Sequence, residues 1–379
     1  PQHPLFVEAE NLIVKLDGEK VIDVEINLGY LHRGVEELMQ KRNYLQNIYL
    51  AERICGICSG VHSITYTYAV ERLVNMEIPE RAKYIRTIIG ELERIHSHLL
   101  FLGVIAYEMG LDTLFMYTWK DRELVMEILE EITGNRVNYA MMTPGGVRRD
   151  IPDRLIPSIL DRLRKIEERS LYYEKVFSKD KLVEKRTSGI GILPHSLAHE
   201  LSIRGPHARA SGIGYDIRRV DPYASYDKIE FEVVTLKDGD VRARILVRAM
   251  ELFQSVRILK ACLKELRSMR DKKLKNPFPL VVPESEAIAR CEAPRGEVLY
   301  YIVSNGTDKP ERVKVTTPSF ANMVSMRPIL MDQHLADLPV IVASTDPCFS
   351  CTDRITLIDG KSGKSKIVNL DYIRRKGRA

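Results

Sequence analysis

Apolar and polar residues alternate along "NLIVKL" and "KVIDVEI", on either side of Asp17-Gly18, a preferred tight-turn pair. This pattern predicts a β-hairpin at the start of the chain. From about Val35 the period changes to that of a helix and keeps it. "ERAKYIRTIIGELERIHSHLLFLGVIAYEM" places apolar residues every three or four positions over about eight turns. "DRELVMEILEEIT" runs to Gly134-Asn135, a plausible helix stop. "IPDRLIPSILDRLRKIEERSLYYEKVF" and "VRARILVRAMELFQSVRILKACLKELRSM" predict two more long helices. Long antiparallel helices bury their apolar stripes against one another. A second strand-rich stretch, "EVLYYIVSNGTDKPERVKVT", turns at Asn305-Gly306. The expected fold is therefore α+β and mainly α: a central bundle of long helices with small antiparallel sheets at its periphery. The reading is of one unit over 1–379, with a hairpin region at 1–30, the bundle at 31–290, a C-terminal region at 291–354 and a tail at 355–379.

Composition changes this picture little. The chain has 379 residues, 45% hydrophobic and 29% charged, with a formal net charge of +5. That is enough to bury a sizeable core and gives no basis for expecting a nucleic-acid partner. No run of about eighteen apolar residues occurs, so no membrane-spanning segment is expected, and no signal peptide is visible. The tail after Arg354 is basic at its end and is read first as a solvated terminus.

Six cysteines are too few for a disulfide framework, and nothing marks the chain as secreted. Cys262 and Cys291 read as core thiols. The other four fall in two Cys-x-x-Cys pairs, "RICGICSGVHS" and "STDPCFSCTDR", at opposite ends of the chain. Cys55 and Cys58 lie at what reads as a helix start, where free N–H groups favour thiolate, the metal-binding form. Gly56 would let ligand and backbone approach closely. His62 lies one helical turn beyond Cys58, so its ring could reach back to that sulfur. Arg53 and Arg354 place a cation beside each pair. A structural zinc site could use four thiolates, but its two pairs are usually joined by a short loop. One Cys-x-x-Cys could act as a redox dithiol, which leaves the second pair unexplained.

With its flanks, Arg-x-Cys-Gly-x-Cys-x-x-x-His together with Asp-Pro-Cys-x-x-Cys-x-x-Arg resembles the large subunit of nickel-iron hydrogenases. Arg354, where many members carry histidine, is similar to the membrane-bound energy-converting group, which is related to respiratory complex I. "GELERIHSHLLFLG", "TPGGVRRD", "GPHARASGIGYDIRR" and "EAPRG" match the same group. The resemblance implies that Cys55, Cys58, Cys348 and Cys351 hold nickel. Cys55 and Cys348 would be terminal ligands, and Cys58 and Cys351 would bridge to an iron carrying carbonyl and cyanide. Soft thiolates suit such metals, and a dinuclear centre can polarise dihydrogen while a nearby base takes the proton.

By the same resemblance, Arg295 would lie over the open metal face, steadied by Asp346, and Pro294 would wall the iron. Ser319 would donate to a cyanide, with Thr316 or Thr317 as rivals. His62 would support the Cys58 sulfur from behind. Glu8 matches the family's proton gate beside a terminal cysteine, and Glu10 is its rival. His3, in the opening His-Pro, is assigned no catalytic role. His96 and His98, two apart on a helix, make a poor metal pair and are expected in core packing or at a partner. "GGVRRD" and "RASGIGYDIRR" are expected to face the electron-transfer subunit. "SGIGYDI" lacks a phosphate-binding fingerprint.

The implied function is proton reduction to H2, or its reverse, in a membrane-bound energy-converting complex. Electrons would come from a low-potential donor such as ferredoxin. The cysteines left over are too few for an iron–sulfur cluster in this chain. A small partner subunit carrying a [4Fe-4S] cluster is therefore expected, with further iron–sulfur and membrane subunits holding the chain at the cytoplasmic side of the cell membrane. Two alternatives stand: a complex-I-like reductase of sulfur compounds or quinone with an altered or absent centre, and a zinc-stabilised assembly subunit. Intact cysteines weigh against the first, because quinone-type relatives lose them. Many hydrogenases are cut just after the residue matching Arg354, whereas 25 residues follow it here.

Overall fold

The structure, a computed structural model, describes residues 8–352 and two further two-residue strands, Leu357–Ile358 and Ser365–Lys366. His3, Arg354 and most of the tail lie outside the described residues. Strands β1 (Asn11–Asp17) and β2 (Lys20–Asn27) form the expected hairpin, with Gly18 at a φ of 59° in its turn. Helices α1 (Val35–Lys41) and α2 (Tyr44–Glu52) follow; Asn43 and Gln46 close α2 with a reciprocal capping box. Helix α3 (Ser59–Leu73) is buried nearly all round, so its sequence lacks a polar face.

The bundle is built on α4 (Glu80–Glu108) and the Val241–Ser268 helix, which pack together. Helix α5 (Asp112–Thr133) lies against α4, and α6 (Ile156–Lys179) against the Val241–Ser268 helix. Gly134, at a φ of 82°, ends α5 as the sequence suggested. The two central helices carry unusually many buried charges. Arg209 donates to Glu251 and Glu292, each at 2.8 Å, and Arg218 to Asp216 at 2.7 Å and Glu91 at 3.0 Å. His98 donates to Glu251 at 2.9 Å; burial holds its pKa at about 4, so the ring is neutral. His96 is also buried, so neither histidine serves a surface partner.

After a two-residue hairpin, β3 (Met142–Thr143) and β4 (Gly146–Val147), comes a three-stranded antiparallel sheet. Its strands are β5 (Ser285–Ala293), β6 (Gly296–Ser304) and β7 (Pro310–Thr316). Strand β5 was not expected from the sequence. Its polarity does not follow its burial: the apolar Ile288 is exposed and the charged Glu292 is buried, so the sequence shows no single apolar face. Among the described residues no helix is long and apolar enough to cross a membrane.

Candidate metal centre

The pairing Ala293↔Gly296 makes a tight β5–β6 turn with Pro294 and Arg295 at its tip. Three features fix that tip. Arg94 of α4 donates to the carbonyls of Glu292 at 2.6 Å and Ala293 at 3.1 Å. Gly205, at a φ of 69°, lets its backbone run against Arg295; a Cβ there would stand 2.3 Å from the Arg295 carbonyl oxygen. Arg295 itself donates from Nη2 to Asp346 Oδ1 at 2.6 Å, from Nε to the Asp346 carbonyl at 2.8 Å, and from Nη1 to Ser97 Oγ at 3.2 Å. Burial works against the Arg295 charge, but Asp346 and then the cysteine sulfurs outweigh it and raise its pKa above the ordinary value. Asp346 adopts a φ of 55°, a left-handed conformation that aspartate tolerates better than most residues.

The two cysteine pairs converge. Cys55 Sγ lies 3.2 Å from Cys348 Sγ, Cys58 Sγ 3.7 Å from Cys351 Sγ, and Cys348 Sγ 3.3 Å from Cys351 Sγ. All four are buried and unbridged. A disulfide would need about 2.05 Å, whereas two sulfurs sharing a metal at about 2.3 Å stand roughly 3.3–3.8 Å apart for right-angled to tetrahedral geometry. The spacing and the all-thiol donor set fit a soft metal. So does the electrostatics. Hydrogen bonds from Cys348 and Cys351 hold the Cys55 thiol well below its ordinary pKa, while hydrogen bonding to Cys348 pushes Cys58 and Cys351 well up. Four adjoining sulfurs cannot all carry negative charge unless a cation joins them.

Helix α3 starts at Ser59, so Cys55 lies in the preceding loop rather than in the first turn. The amides of Ile57 and Cys58 still donate to its sulfur, each at 3.3 Å. A Cβ on Gly56 would meet only Val137 at 3.7 Å, so no close backbone approach depends on that glycine. A ring nitrogen of His62 lies within 4.8 Å of both the Cys58 and the Cys351 sulfurs, with Nε2 3.7 Å from Cys351 Sγ, while its Nδ1 is held by the Tyr300 hydroxyl at 2.8 Å. Burial lowers its pKa to about 4, so the neutral ring can accept from Tyr300 and donate toward sulfur.

Ser319 Oγ accepts from the Cys348 amide at 3.1 Å, which leaves its hydroxyl proton available. Its rival Thr317 is taken up by the Cys351 carbonyl. Glu8 reaches the site: its Oε1 lies 3.9 Å from Cys348 Sγ, and the carboxylate accepts from the Ser350 amide at 2.9 Å and the Ser350 hydroxyl. Glu10 has both oxygens buried without a hydrogen-bond partner, and burial pushes its pKa up to about 8. Pro294 is buried beside Arg295. Arg53 is turned outward onto the Tyr49 carbonyl and Glu52, away from the role expected of it beside the thiols.

The expectation for "RASGIGYDIRR" is overturned in part. Arg209 and Arg218 sit in the buried ion network, whereas Arg148 and Arg149 of "GGVRRD" are exposed. Sequence reasoning also passed over the α4 face that carries the site. Glu93, Ser97, Phe101 and Val104 recur at helical spacing; Glu93 accepts from the amides of Gly60 at 2.6 Å and Val61 at 2.8 Å, and Ser97 holds Arg295. That spacing was the available signal. Phe101 and Val104, with Glu8, Arg295, Asp346 and Cys348, line a cavity of about 50 Å³. It has room for a few waters or a diatomic gas.

This combination of a helical bundle and a four-cysteine seat has known counterparts. The model of the respiratory-chain NADH dehydrogenase 49 Kd subunit matches residues 108–280 and 273–354, and that of the nickel-dependent hydrogenases matches residues 33–107. The chain belongs to this family of complex I and hydrogenase oxidoreductase subunits. It is 43% identical to the membrane-bound hydrogenase subunit alpha of Pyrococcus furiosus, over 97% of this chain and 89% of that one. It is 39% identical to the carbon monoxide-induced hydrogenase of Rhodospirillum rubrum, over 93% and 98%. Among solved structures, a chain of the membrane-bound sulfane sulfur reductase, an archaeal respiratory membrane complex, superposes with a TM-score of 0.89. That match is 35% identical and covers 93% of this chain and 96% of the other.

Proposed function

We propose that this chain is the catalytic subunit of a membrane-bound, energy-converting nickel-iron hydrogenase. The observation that carries the reading is the convergence of four buried sulfurs, drawn from both ends of the chain, at metal-sharing distances. Cys55, Cys58, Cys348 and Cys351 would hold a nickel-iron centre with carbonyl and cyanide ligands. When bound, that centre supplies the redox chemistry that interconverts protons and H2. Arg295 keeps a fixed positive charge over the site, and Asp346 sets its direction. Glu8 carries protons to and from the Cys348 side, at 3.9 Å from that sulfur. His62, fixed by Tyr300, supports Cys351. Pro294 would help keep the site dry, and Ser319, whose oxygen accepts from the Cys348 amide, would have its hydroxyl proton free for a ligand of the centre. The small cavity suits H2 and protons.

Electrons come from a low-potential donor such as ferredoxin through a small subunit carrying a [4Fe-4S] cluster. Further subunits hold the chain peripherally at the cytoplasmic face of the membrane and couple the reaction to ion translocation. A second reading, a reductase of sulfur compounds, is favoured by the likeness to the sulfane sulfur reductase chain. Metal analysis and infrared spectroscopy of the isolated complex separate the two. Nickel with iron, metal-bound carbonyl and cyanide bands, and H2 evolution from a reduced low-potential donor are expected. Sulfide production without nickel or those bands would replace the first reading by the second.

A further inference from the structure

The two cysteine loops come from opposite ends of the chain, and something must hold them at a common spacing. One side chain touches both. Arg33, in the loop before α1, donates from Nη1 to the Arg53 carbonyl at 2.9 Å and from Nη2 to the Ile54 carbonyl at 2.8 Å. These are the two residues before Cys55. The same Nη2 donates to the Ser350 carbonyl at 3.3 Å, between Cys348 and Cys351. Ser350 is also gripped from its other side, where Glu8 accepts from its amide. Its peptide groups are thus held between an anion and a cation, and the cation continues onto the N-terminal loop.

We infer that Arg33 is a positioning residue that staples the two Cys-x-x-Cys loops and sets the spacing of the four sulfurs before any metal arrives. Hydrogen bonds from a charged donor are stronger than neutral ones, and a planar fork can serve several acceptors in fixed directions. A lysine has the charge but not the fork. The acceptors are backbone carbonyls, so the staple does not depend on which side chains those three residues carry. Arg33 is exposed, so replacing it leaves the core packing untouched. A seat arranged in advance loses less on binding than one that must be gathered by the ligand. The significance of the staple for metal retention rests on the hydrogenase reading; the staple itself rests on the three contacts.

The test compares the full-length chain, metal-free, as wild type, Arg33→Met and Arg33→Lys. Mild oxidation followed by peptide mapping gives the ratio of bridges between the loops (Cys55–Cys348, Cys58–Cys351) to bridges within them (Cys55–Cys58, Cys348–Cys351). Both kinds of bridge should form in wild type, and the ratio should fall about tenfold in both variants at unchanged helicity by circular dichroism. An unchanged ratio in Arg33→Met overturns the inference, and so does a wild-type ratio in Arg33→Lys. Should Arg33→Met fail to fold, Arg33→Lys alone decides. In the nickel-loaded complex, Arg33→Lys should release nickel to a chelator about tenfold faster than wild type; equal rates also count against the staple. A wild-type complex without nickel would sink the hydrogenase reading and leave the bridge ratio to judge Arg33.

Discussion

Replacing Asp346 by asparagine removes one negative charge and very little else. The side chain keeps its size, and asparagine tolerates the left-handed backbone found at this position. Arg295 would keep its bonds to the Asp346 carbonyl and to Ser97, but its 2.6 Å partner would become a neutral amide. With charge centres about 4 Å apart and an effective dielectric constant near 20, the lost attraction is about 4 kcal/mol. Arg248 Nε, 3.6 Å from the other Asp346 oxygen, loses the same counter-charge. Two buried guanidiniums would then face each other with less to offset them, so a loss of about 3–5 kcal/mol is expected. The assay is a denaturant double-mutant cycle with Arg295→Met, with H2 evolution measured on each variant. A coupling of at least about 2 kcal/mol should appear, and activity should fall at least about tenfold as the guanidinium drifts. Additivity within about 0.5 kcal/mol would show that the carboxylate does not hold Arg295, and the proposed role of Asp346 would fail with it.

Glu8→Gln keeps one acceptor oxygen for the Ser350 amide but cannot carry a proton; turnover should fall about 10²-fold or more while infrared bands of the centre stay in place, and unchanged turnover would exclude Glu8 as the relay. Tyr300→Phe strands the His62 Nδ1 in the core and should cost about 1–3 kcal/mol in urea unfolding, with a shifted infrared signature; no change in either would dissociate Tyr300 from the site. Gly205→Ala pushes a methyl group into the Arg295 carbonyl and should lower both stability, by roughly 1–3 kcal/mol, and activity; a crystal structure with Arg295 undisplaced would count against this. Burial, outweighing its two backbone hydrogen bonds, pushes the pKa of Glu93 up to about 8. The folded state therefore keeps a proton that the unfolded chain gives up near 4.5. The stability Glu93 contributes is full below that value and is lost as pH rises from about 4.5 to 8, and Glu93→Gln should flatten the stability profile over that window.

The helices were plain in the sequence because α5, α6 and the Val241–Ser268 helix alternate buried and exposed faces, and because apolar residues keep the helical period along α4 although it is buried nearly all round. Strand β5 was hidden because an apolar residue, Ile288, is exposed and a charged one, Glu292, is buried. The four cysteines could be read from spacing and flanks, and Arg295 and Asp346 from their motifs. The partners of His62 could be read only in part. Local spacing points to Cys58, which the ring does lie near, but Cys351 and Tyr300, each more than two hundred residues away, also meet it. Arg33 was silent, since it acts on carbonyls that every residue has. Arg209 and Arg218 misled for a related reason: charge suggests a surface, and of the acids that let them be buried only Asp216 lies in the same stretch, while Glu91, Glu251 and Glu292 lie on other elements.

The separation of the two cysteine pairs also bears on how the molecule is made. Cys55 and Cys58 leave the ribosome early, and at 5–20 residues per second roughly fifteen seconds to a minute passes before Cys348 and Cys351 follow. Throughout that interval the nascent chain displays two thiols that can grip a passing soft ion only weakly, or oxidise. A metal held by all four sulfurs could therefore enter only after synthesis of residue 351, when the helices have already had many folding times in which to settle around the place it would take.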